Sequence, residues 1–174
     1  MKWFRGLLVG GLVIAVLSGC GTKEETAVPA TEPTDAATSA SIVNDAAAFT
    51  NAVGEKGTWI IAILNDVAVD QEVVVAGEFR DKGAADGEIY RKIALYAQDA
   101  DHNITASYTL TVPKLTVKSE NLRVQGGTIQ GDVVVEAAGF HLHETATIDG
   151  SLSFANDNAK ATAKIDGNVT GTQE

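Results

Sequence analysis

The chain repeats one short pattern three times, as Thr128-Ile129-Gln130-Gly131-Asp132-Val133, Thr147-Ile148-Asp149-Gly150-Ser151-Leu152 and Lys164-Ile165-Asp166-Gly167-Asn168-Val169. The isoleucines of these segments lie 19 and then 17 residues apart. A regular period is typical of solenoids, in which each repeat stacks on its neighbour. We therefore expect a triangular coil in which each isoleucine lies above its equivalent in the next coil. The glycine would form the corner, because a positive φ costs glycine less than other residues.

Short apolar runs rich in β-branched residues also fill the chain before the repeats, for example at residues 59–64 and 73–75. Glycine, aspartate, asparagine or lysine bounds each run, which is typical of strands. A β-sandwich is the alternative, since Asp149-Gly150 and Asp166-Gly167 could form the two-residue turns of hairpins. The near-constant spacing favours stacking. We predict an all-β fold, a single-stranded parallel β-helix over residues 42–174.

A short helix is predicted before the first strand. Ala46, Phe49 and Val53 lie at i, i+3 and i+7, Asn44 can cap the N-terminus, and glycines follow. This helix with the apolar run after it resembles the opening of pectate-lyase-like right-handed β-helix proteins. The resemblance implies a helix that covers the first coil, whose open end would otherwise expose apolar side chains.

Residues 128–171 resemble bactofilins, which are polymer-forming β-helical cytoskeletal proteins with a repeated Ile-x-Gly-Asp/Asn-Val/Ile motif. Asp132-Val133 and Asn168-Val169 match this motif. Bactofilins are cytoplasmic and polymerise through two open ends, whereas this chain begins like an exported protein and has a predicted cap at one end. We therefore expect a homodimer through the open C-terminal coil rather than endless filaments.

The first twenty residues have the three parts of an export signal, namely Lys2 and Arg5, an apolar run at residues 7–17, and small residues. Leu17-Ser18-Gly19-Cys20 resembles the bacterial lipobox, whose cysteine receives a diacylglycerol after the signal is cut before it. The resemblance implies a signal peptide at residues 1–19 and a lipid on Cys20. The protein would then be anchored at the extracytoplasmic face of the cell membrane or outer membrane.

Residues 20–41 are predicted to form a disordered linker, because this stretch has no aromatic residue and little else to bury. Removal of residues 1–19 takes away Lys2 and Arg5, so 13 basic residues become 11 against 23 acidic ones, and the net charge changes from −10 to −12. Such a chain repels nucleic acid, which is excluded as a partner. Cys20 is the only cysteine, so no disulfide or paired-cysteine metal site is expected.

His141 and His143 are the weak candidates for a metal site. They flank Leu142, so on a strand both point to the same side, away from the core. Two imidazoles at this spacing can share a metal, but no third ligand is identifiable in the sequence. We expect exposed strand histidines.

Two polar clusters are interpreted as loops. Residues 99–103 begin like a calcium loop, but Ile104 and Leu110 stand where an EF-hand needs glycine and glutamate. A polar turn between strands is therefore expected there, and a simple loop at residues 156–158. Residues 78–91 are interpreted as an excursion from the solenoid, either a binding loop or a solvated hairpin.

No catalytic constellation is found. The serine-hydrolase motif is absent. No partner can be assigned to Arg80, Arg91 or Arg123. Asp149 and Asp166 could form a ladder, but Asp132 is out of register with them. The chain is therefore predicted not to be an enzyme and to hold no cofactor.

We expect a membrane-anchored lipoprotein with a non-catalytic structural or interaction module of the cell envelope. The alternative is a carbohydrate-binding or carbohydrate-cleaving surface protein, for which the available aromatic residues are Trp59, Tyr90, Tyr96 and Tyr108, with Trp59 expected in the core. The partner would be a cell-wall polysaccharide or an envelope protein.

Overall fold

The computed structural model describes residues 40–174. The predicted signal peptide, Cys20 and the predicted linker up to residue 39 lie outside the described residues. The last two residues of that linker, Ala40 and Ser41, belong to the first strand. Within residues 40–174, no helix combines the length and the apolarity that a membrane crossing requires.

The described part is mainly β, with parallel sheets and two short helices. In chain order the elements are β1 (Ala40–Val43), α1 (Ala46–Val53), β2 (Ile60–Ile63), β3 (Val67–Ala68), β4 (Val73–Val75), a 3-10 turn (Asp81–Gly83), β5 (Arg91–Ala94), β6 (Tyr96–Gln98), β7 (Ile104–Ser107), β8 (Thr109–Val117), β9 (Leu122–Gln125), β10 (Thr128–Val135), β11 (His141–Leu142), β12 (Thr147–Asp149), β13 (Leu152–Phe154), α2 (Asp157–Thr162), β14 (Lys164–Ile165) and β15 (Asn168–Val169).

The chain adds strands alternately to two parallel sheets. The first sheet has the order β1-β2-β5-β9-β11-β14, and the second has the order β15-β12-β10-β8-β3, with β13 beside β10 and β4 beside β8. All these pairs are parallel, whereas β6 and β7 form a separate antiparallel pair. A pass is a stretch of chain that crosses the first sheet and then the second. Each later pass thus adds its strands at the same edge of each sheet.

The core consists of inward-facing aliphatic side chains that lie in rows across the strands. In the first sheet the register joins Ile61, Ile93, Val124 and Leu142, all with no exposed surface. The second sheet has equivalent rows, which contain Val67, Leu110, Ile129 and Ile148, and Val73, Leu115, Val133 and Leu152. Burying each such side chain contributes about 1.5–3 kcal/mol, so these rows hold the neighbouring strands together.

The predicted stacking of the repeats is correct for the first two and wrong for the third. Ile148 pairs with Ile129, but Val169 is its next neighbour, whereas Ile165 pairs with Leu142 in the first sheet. The local pattern of isoleucine, glycine and an aliphatic residue therefore occurs on two different faces. It identifies a strand and its corner without identifying the sheet.

The corner glycines serve two different purposes. Gly131 has a φ of +141°, in agreement with the prediction. Gly150 and Gly167 do not have a positive φ, so the prediction is wrong for them. A Cβ at Gly150 would overlap the carbonyl oxygen of Gly131, and one at Gly167 would overlap that of Ala146. These two glycines are required because another segment of the backbone approaches each of them closely.

Both helices begin at a side-chain cap. The predicted first helix is confirmed as α1, but its cap is Asp45 rather than Asn44, since the Asp45 carboxylate accepts a hydrogen bond from the Ala48 amide at 2.9 Å. Phe49 and Val53 of α1 are fully buried against the core. The loop expected at residues 156–158 is wrong, because Asn156 caps α2 through a 2.8 Å bond from the Ala159 amide.

Arg91 is fully buried and lies at the start of β5, on the inward side. Its guanidinium lies 4.0 Å above the centre of the Phe79 ring. Burial lowers the pKa of Arg91 to about 10, so the side chain remains charged at neutral pH. The sequence assigned no partner to this charge.

Oxygen atoms from several loops surround the Arg91 guanidinium. It donates to the carbonyl oxygens of Thr58 (3.1 Å), Ala76 (2.6 Å), Ala52 (2.8 Å) and Gly54 (3.2 Å), and to the hydroxyl of Ser119 (2.8 Å). Two of these carbonyls lie at the C-terminal end of α1, where a positive charge is favourable. Arg91 therefore joins α1 to the loops before β2, after β4 and after β8.

We expect Arg91→Met to lower the free energy of unfolding by about 3–5 kcal/mol, because it leaves buried carbonyl groups without donors. Urea denaturation would measure the loss. Arg80→Met is the control, since Arg80 is half-exposed and paired with the exposed Glu78, and its loss should stay within about 1 kcal/mol. Equal losses in the two variants would contradict this role for Arg91.

Candidate functional site

Basic side chains line up across the outer surface of the first sheet. The register places Lys92 beside Arg123, Arg123 beside His141, and His141 beside Lys164. Neighbouring strands lie about 4.8 Å apart, so these four residues, here called the basic row, form a continuous strip. The strip is unusual on a chain with a net charge of −10.

One end of the basic row has its own counter-charge. The Asp166 carboxylate accepts hydrogen bonds from the Lys164 ammonium at 2.7 Å and from His141 Nε2 at 3.0 Å. The bonds from Lys164 and then His141 hold the pKa of Asp166 below its ordinary value. This end of the row is therefore neutralised within the protein.

The other end of the basic row lacks an ion pair among residues 40–174. The Lys92 ammonium donates a 2.8 Å hydrogen bond to the Tyr96 hydroxyl, which carries no charge at neutral pH. Burial, with the neighbouring charge of Arg123, lowers the pKa of Lys92 to about 8. Two partly desolvated cations thus lie side by side.

Arg123 has a buried donor that no group in the described structure satisfies. Its Nε is inaccessible to solvent and has no hydrogen-bond partner. Burial raises the pKa of the neighbouring Tyr90, and the positive charge of Arg123 opposes that rise. An unsatisfied buried donor costs about 1–3 kcal/mol, and an acceptor that reached the Arg123 Nε after a shift of the side chain would recover this cost.

A cleft opens beside Arg123. Its volume is about 840 Å³, and it is lined by Asp81, Glu88, Ile89, Tyr90, Asn121 and Arg123. The predicted excursion at residues 78–91 forms one wall, closed by an antiparallel bridge between Arg80 and Ile89. The Asn121 side chain donates to the Ile89 carbonyl oxygen at 2.9 Å and ties this wall to the sheet. The excursion is thus a short hairpin that borders the cleft.

One aromatic ring lines the cleft, and a second ring contacts it. Trp59 was expected in the core but is only half-buried, and it meets Tyr90 edge to face with ring centroids 6.2 Å apart. Tyr96 is buried beside Lys92, and Tyr108 is half-buried against the core without lining the cleft. Tyr90 is therefore the aromatic residue of the cleft itself.

The two candidate histidines point to the same side, as predicted, with ring centroids 5.9 Å apart. His143 Nδ1 lies 2.8 Å from the Thr145 hydroxyl, and burial and then the charge of Arg123 lower the pKa of His143. The carboxylate that the structure brings to His141 is that of Asp166. Within residues 40–174, no group of three or more histidine, cysteine, aspartate or glutamate side chains is arranged to hold a metal ion.

The acidic side chains that the sequence singled out have local partners. The Asp99 carboxylate accepts bonds from the backbone amides of Asp101 and Asn103, so residues 99–103 form the predicted polar turn, between β6 and β7. The possible aspartate ladder is wrong. Asp166 follows β14 of the first sheet, whereas Asp149 lies on β12 of the second.

No protein-family model, curated protein or solved structure matches the chain. Its chemistry is therefore inferred from the site alone. The cleft combines a cation with an unused donor, an aromatic ring and two carboxylates, Asp81 and Glu88. Such a set can bind a ligand that carries both a negative charge and hydroxyl groups.

We expect the Lys92 ammonium to lose its proton near pH 8, about two pH units below an ordinary lysine. NMR titration of the lysine ¹³Cε resonances would measure this pKa. Arg123→Gln should raise the pKa of Lys92, because it removes the neighbouring positive charge. Lys114→Gln, on the second sheet and paired with Glu72, should leave it unchanged. A Lys92 pKa that is ordinary, or that does not respond to Arg123→Gln, would contradict the arrangement.

Proposed function

We propose that this chain is a membrane-anchored extracytoplasmic lipoprotein with a non-catalytic structural or interaction module of the cell envelope. The lipobox-like residues before Cys20 support the anchor. We also propose that residues 42–174 form a single-stranded parallel β-helix. The parallel pairing of strands in chain order in two sheets supports this fold, with α1 packed at the first coil.

The observation that carries the interaction role is the unpaired end of the basic row. Partly buried cations without a counter-charge cost stability, and a purely structural face gains nothing from them. Lys92 and Arg123 lie on an outer sheet face beside a cleft, within a chain of opposite net charge. A face of this kind is suited to a partner that supplies the missing negative charge.

The partners we propose are the membrane through the lipid, and a cell-wall polysaccharide or envelope protein through the cleft. A second copy of the chain is a further proposed partner, through the open C-terminal coil. The strands β14 and β15 are the last of their sheets among the described residues, and a free parallel edge supports pairing between copies.

A second candidate function is a carbohydrate-binding or carbohydrate-cleaving surface protein. The edge-to-face pair of Trp59 and Tyr90 at the cleft favours it, because an aromatic ring with a polar edge offers both a packing surface and a hydrogen bond. The cleft also contains the acceptors and donors that sugar hydroxyls need, in Asp81, Glu88 and Asn121.

Cys20→Ser should abolish labelling by radioactive palmitate and move the protein from the detergent phase to the aqueous phase in Triton X-114 partition. Two or more acyl chains anchor a protein stably, whereas the free polypeptide has no such affinity. The control is the double variant Cys20→Ser/Thr22→Cys, in which the thiol lies outside the lipobox and labelling should not return. An unlabelled wild-type chain would refute the anchor.

Binding of the full chain to isolated cell-wall polysaccharide tests the second candidate. Tyr90→Ala should weaken binding about tenfold, which corresponds to the loss of one good aromatic contact. Tyr90→Phe separates the ring from the hydroxyl, and Tyr108→Ala is the control outside the cleft. If wild type binds no wall fraction, the carbohydrate candidate is wrong and a protein partner remains.

A further inference from the structure

We infer that the outer face of the first sheet holds an oxyanion, a phosphate or carboxylate group of the ligand, between the side chains of Arg123 and Lys92. The inference rests on the proposed interaction role and names the chemical group that the module binds. Four independent features of the described residues carry it: an unused donor, paired cations, an internal precedent and the hydroxyl-binding acids of the cleft.

The unused donor is the Nε–H of Arg123. A guanidinium binds an oxyanion best through two parallel N–H groups, and Nε is one member of such a pair. This Nε is buried and has no hydrogen-bond partner in the described structure. Arg123 lines the cleft, so an oxyanion bound there meets its guanidinium, and a small shift of the side chain would bring the Nε–H into a second bond.

Lys92 supplies the second positive charge, from the strand next to that of Arg123. It pairs in register with Arg123 on neighbouring strands, about 4.8 Å apart along the sheet. The two cations repel each other, and burial increases the cost of both charges. An oxyanion between them replaces this repulsion with two attractions, which is the main expected source of affinity.

The other end of the basic row shows the same arrangement with an anion in place. There, Lys164 and His141 lie on neighbouring strands and hold the Asp166 carboxylate at 2.7 Å and 3.0 Å. Asp166 follows Lys164 by two residues. The residue that follows Arg123 by two is Gln125, which has no charge. The Arg123 position therefore lacks the internal carboxylate that neutralises the Lys164 position.

The acids of the cleft restrict what the oxyanion can be attached to. Asp81 and Glu88 line the same cleft as Arg123, and the charge of Asp81 reaches Tyr90. These carboxylates disfavour a bare polyanion but accept hydrogen bonds from hydroxyl groups. The ligand class that fits is thus a sugar acid or a phosphorylated sugar or polyol, with its hydroxyls on the carboxylate side.

The experiment is calorimetric titration of the full chain in non-ionic detergent micelles, at constant chloride, with inorganic phosphate, glucuronate and glucose. We expect at least one of the two anions to bind, and glucose alone to bind at least about tenfold more weakly. Binding of only phosphate identifies a phosphate group as the ligand chemistry, and binding of only glucuronate identifies a carboxylate.

Two variants and one control test the location. Arg123→Gln should weaken anion binding at least about tenfold by removing the donor. Gln125→Glu should do the same by placing an internal carboxylate at the site, with Arg123 intact. Lys114→Gln removes a lysine from the second sheet and should not change binding. Urea midpoints close to that of wild type would show that all three variants are folded.

The inference is overturned if neither anion binds, or if both variants bind the anions as wild type does. This failure is distinct from failure of the proposed function. A chain that binds wall polysaccharide equally in wild type, Arg123→Gln and Gln125→Glu keeps its interaction role and loses the oxyanion site. A chain that binds an anion through Arg123 but takes no palmitate keeps the site and loses the anchor.

Discussion

The buried Arg91 guanidinium is the interaction on which both the fold and the candidate site depend. It satisfies carbonyl groups at the end of α1 and in the loops around β2 and β4. The residues on either side of it, Tyr90 and Lys92, face outward and belong to the candidate site. Because Arg91 fixes the backbone between them, the same side chain that closes the core also positions the face that we propose binds a ligand.

Local periodicity predicted the elements of this fold better than their arrangement. The helix at residues 46–53, the pairing of Ile129 with Ile148 and the common side of His141 and His143 could all be derived from spacing. The place of Ile165 could not, because passes of the chain differ in length and one contains α2. A pattern of six residues identifies a strand and the corner beside it. The sheet to which that strand belongs depends on the length of all the loops that precede the pattern.

The candidate site was mostly hidden from the sequence for the same reason. Lys92, Arg123, His141 and Lys164 lie at irregular intervals, and only the register of the sheet makes them neighbours. The sequence did show two signals, namely arginines without an obvious partner and an excursion at residues 78–91. One of those arginines is Arg91, which donates to buried carbonyl groups, and another is Arg123, which lines the cleft. Isolated cations in an acidic chain thus indicate either a structural or a binding role. The sequence does not separate these two roles, because it does not show which side chains are buried.

The most direct test of the parallel register is the pattern of cross-strand NOEs of the isotopically labelled chain in micelles. Antiparallel strands bring Cα atoms of non-hydrogen-bonded pairs to about 4.5 Å and give strong contacts between Hα protons, whereas parallel strands do not. We predict contacts of Arg123 with Lys92 and His141, and of Ile148 with Ile129 and Val169. Strong Hα–Hα contacts should be confined to β6 and β7 and to the antiparallel bridge between Arg80 and Ile89. Strong Hα–Hα contacts between β10 and β12, or contacts of Ile148 with Ile165, would contradict the register and remove the basic row.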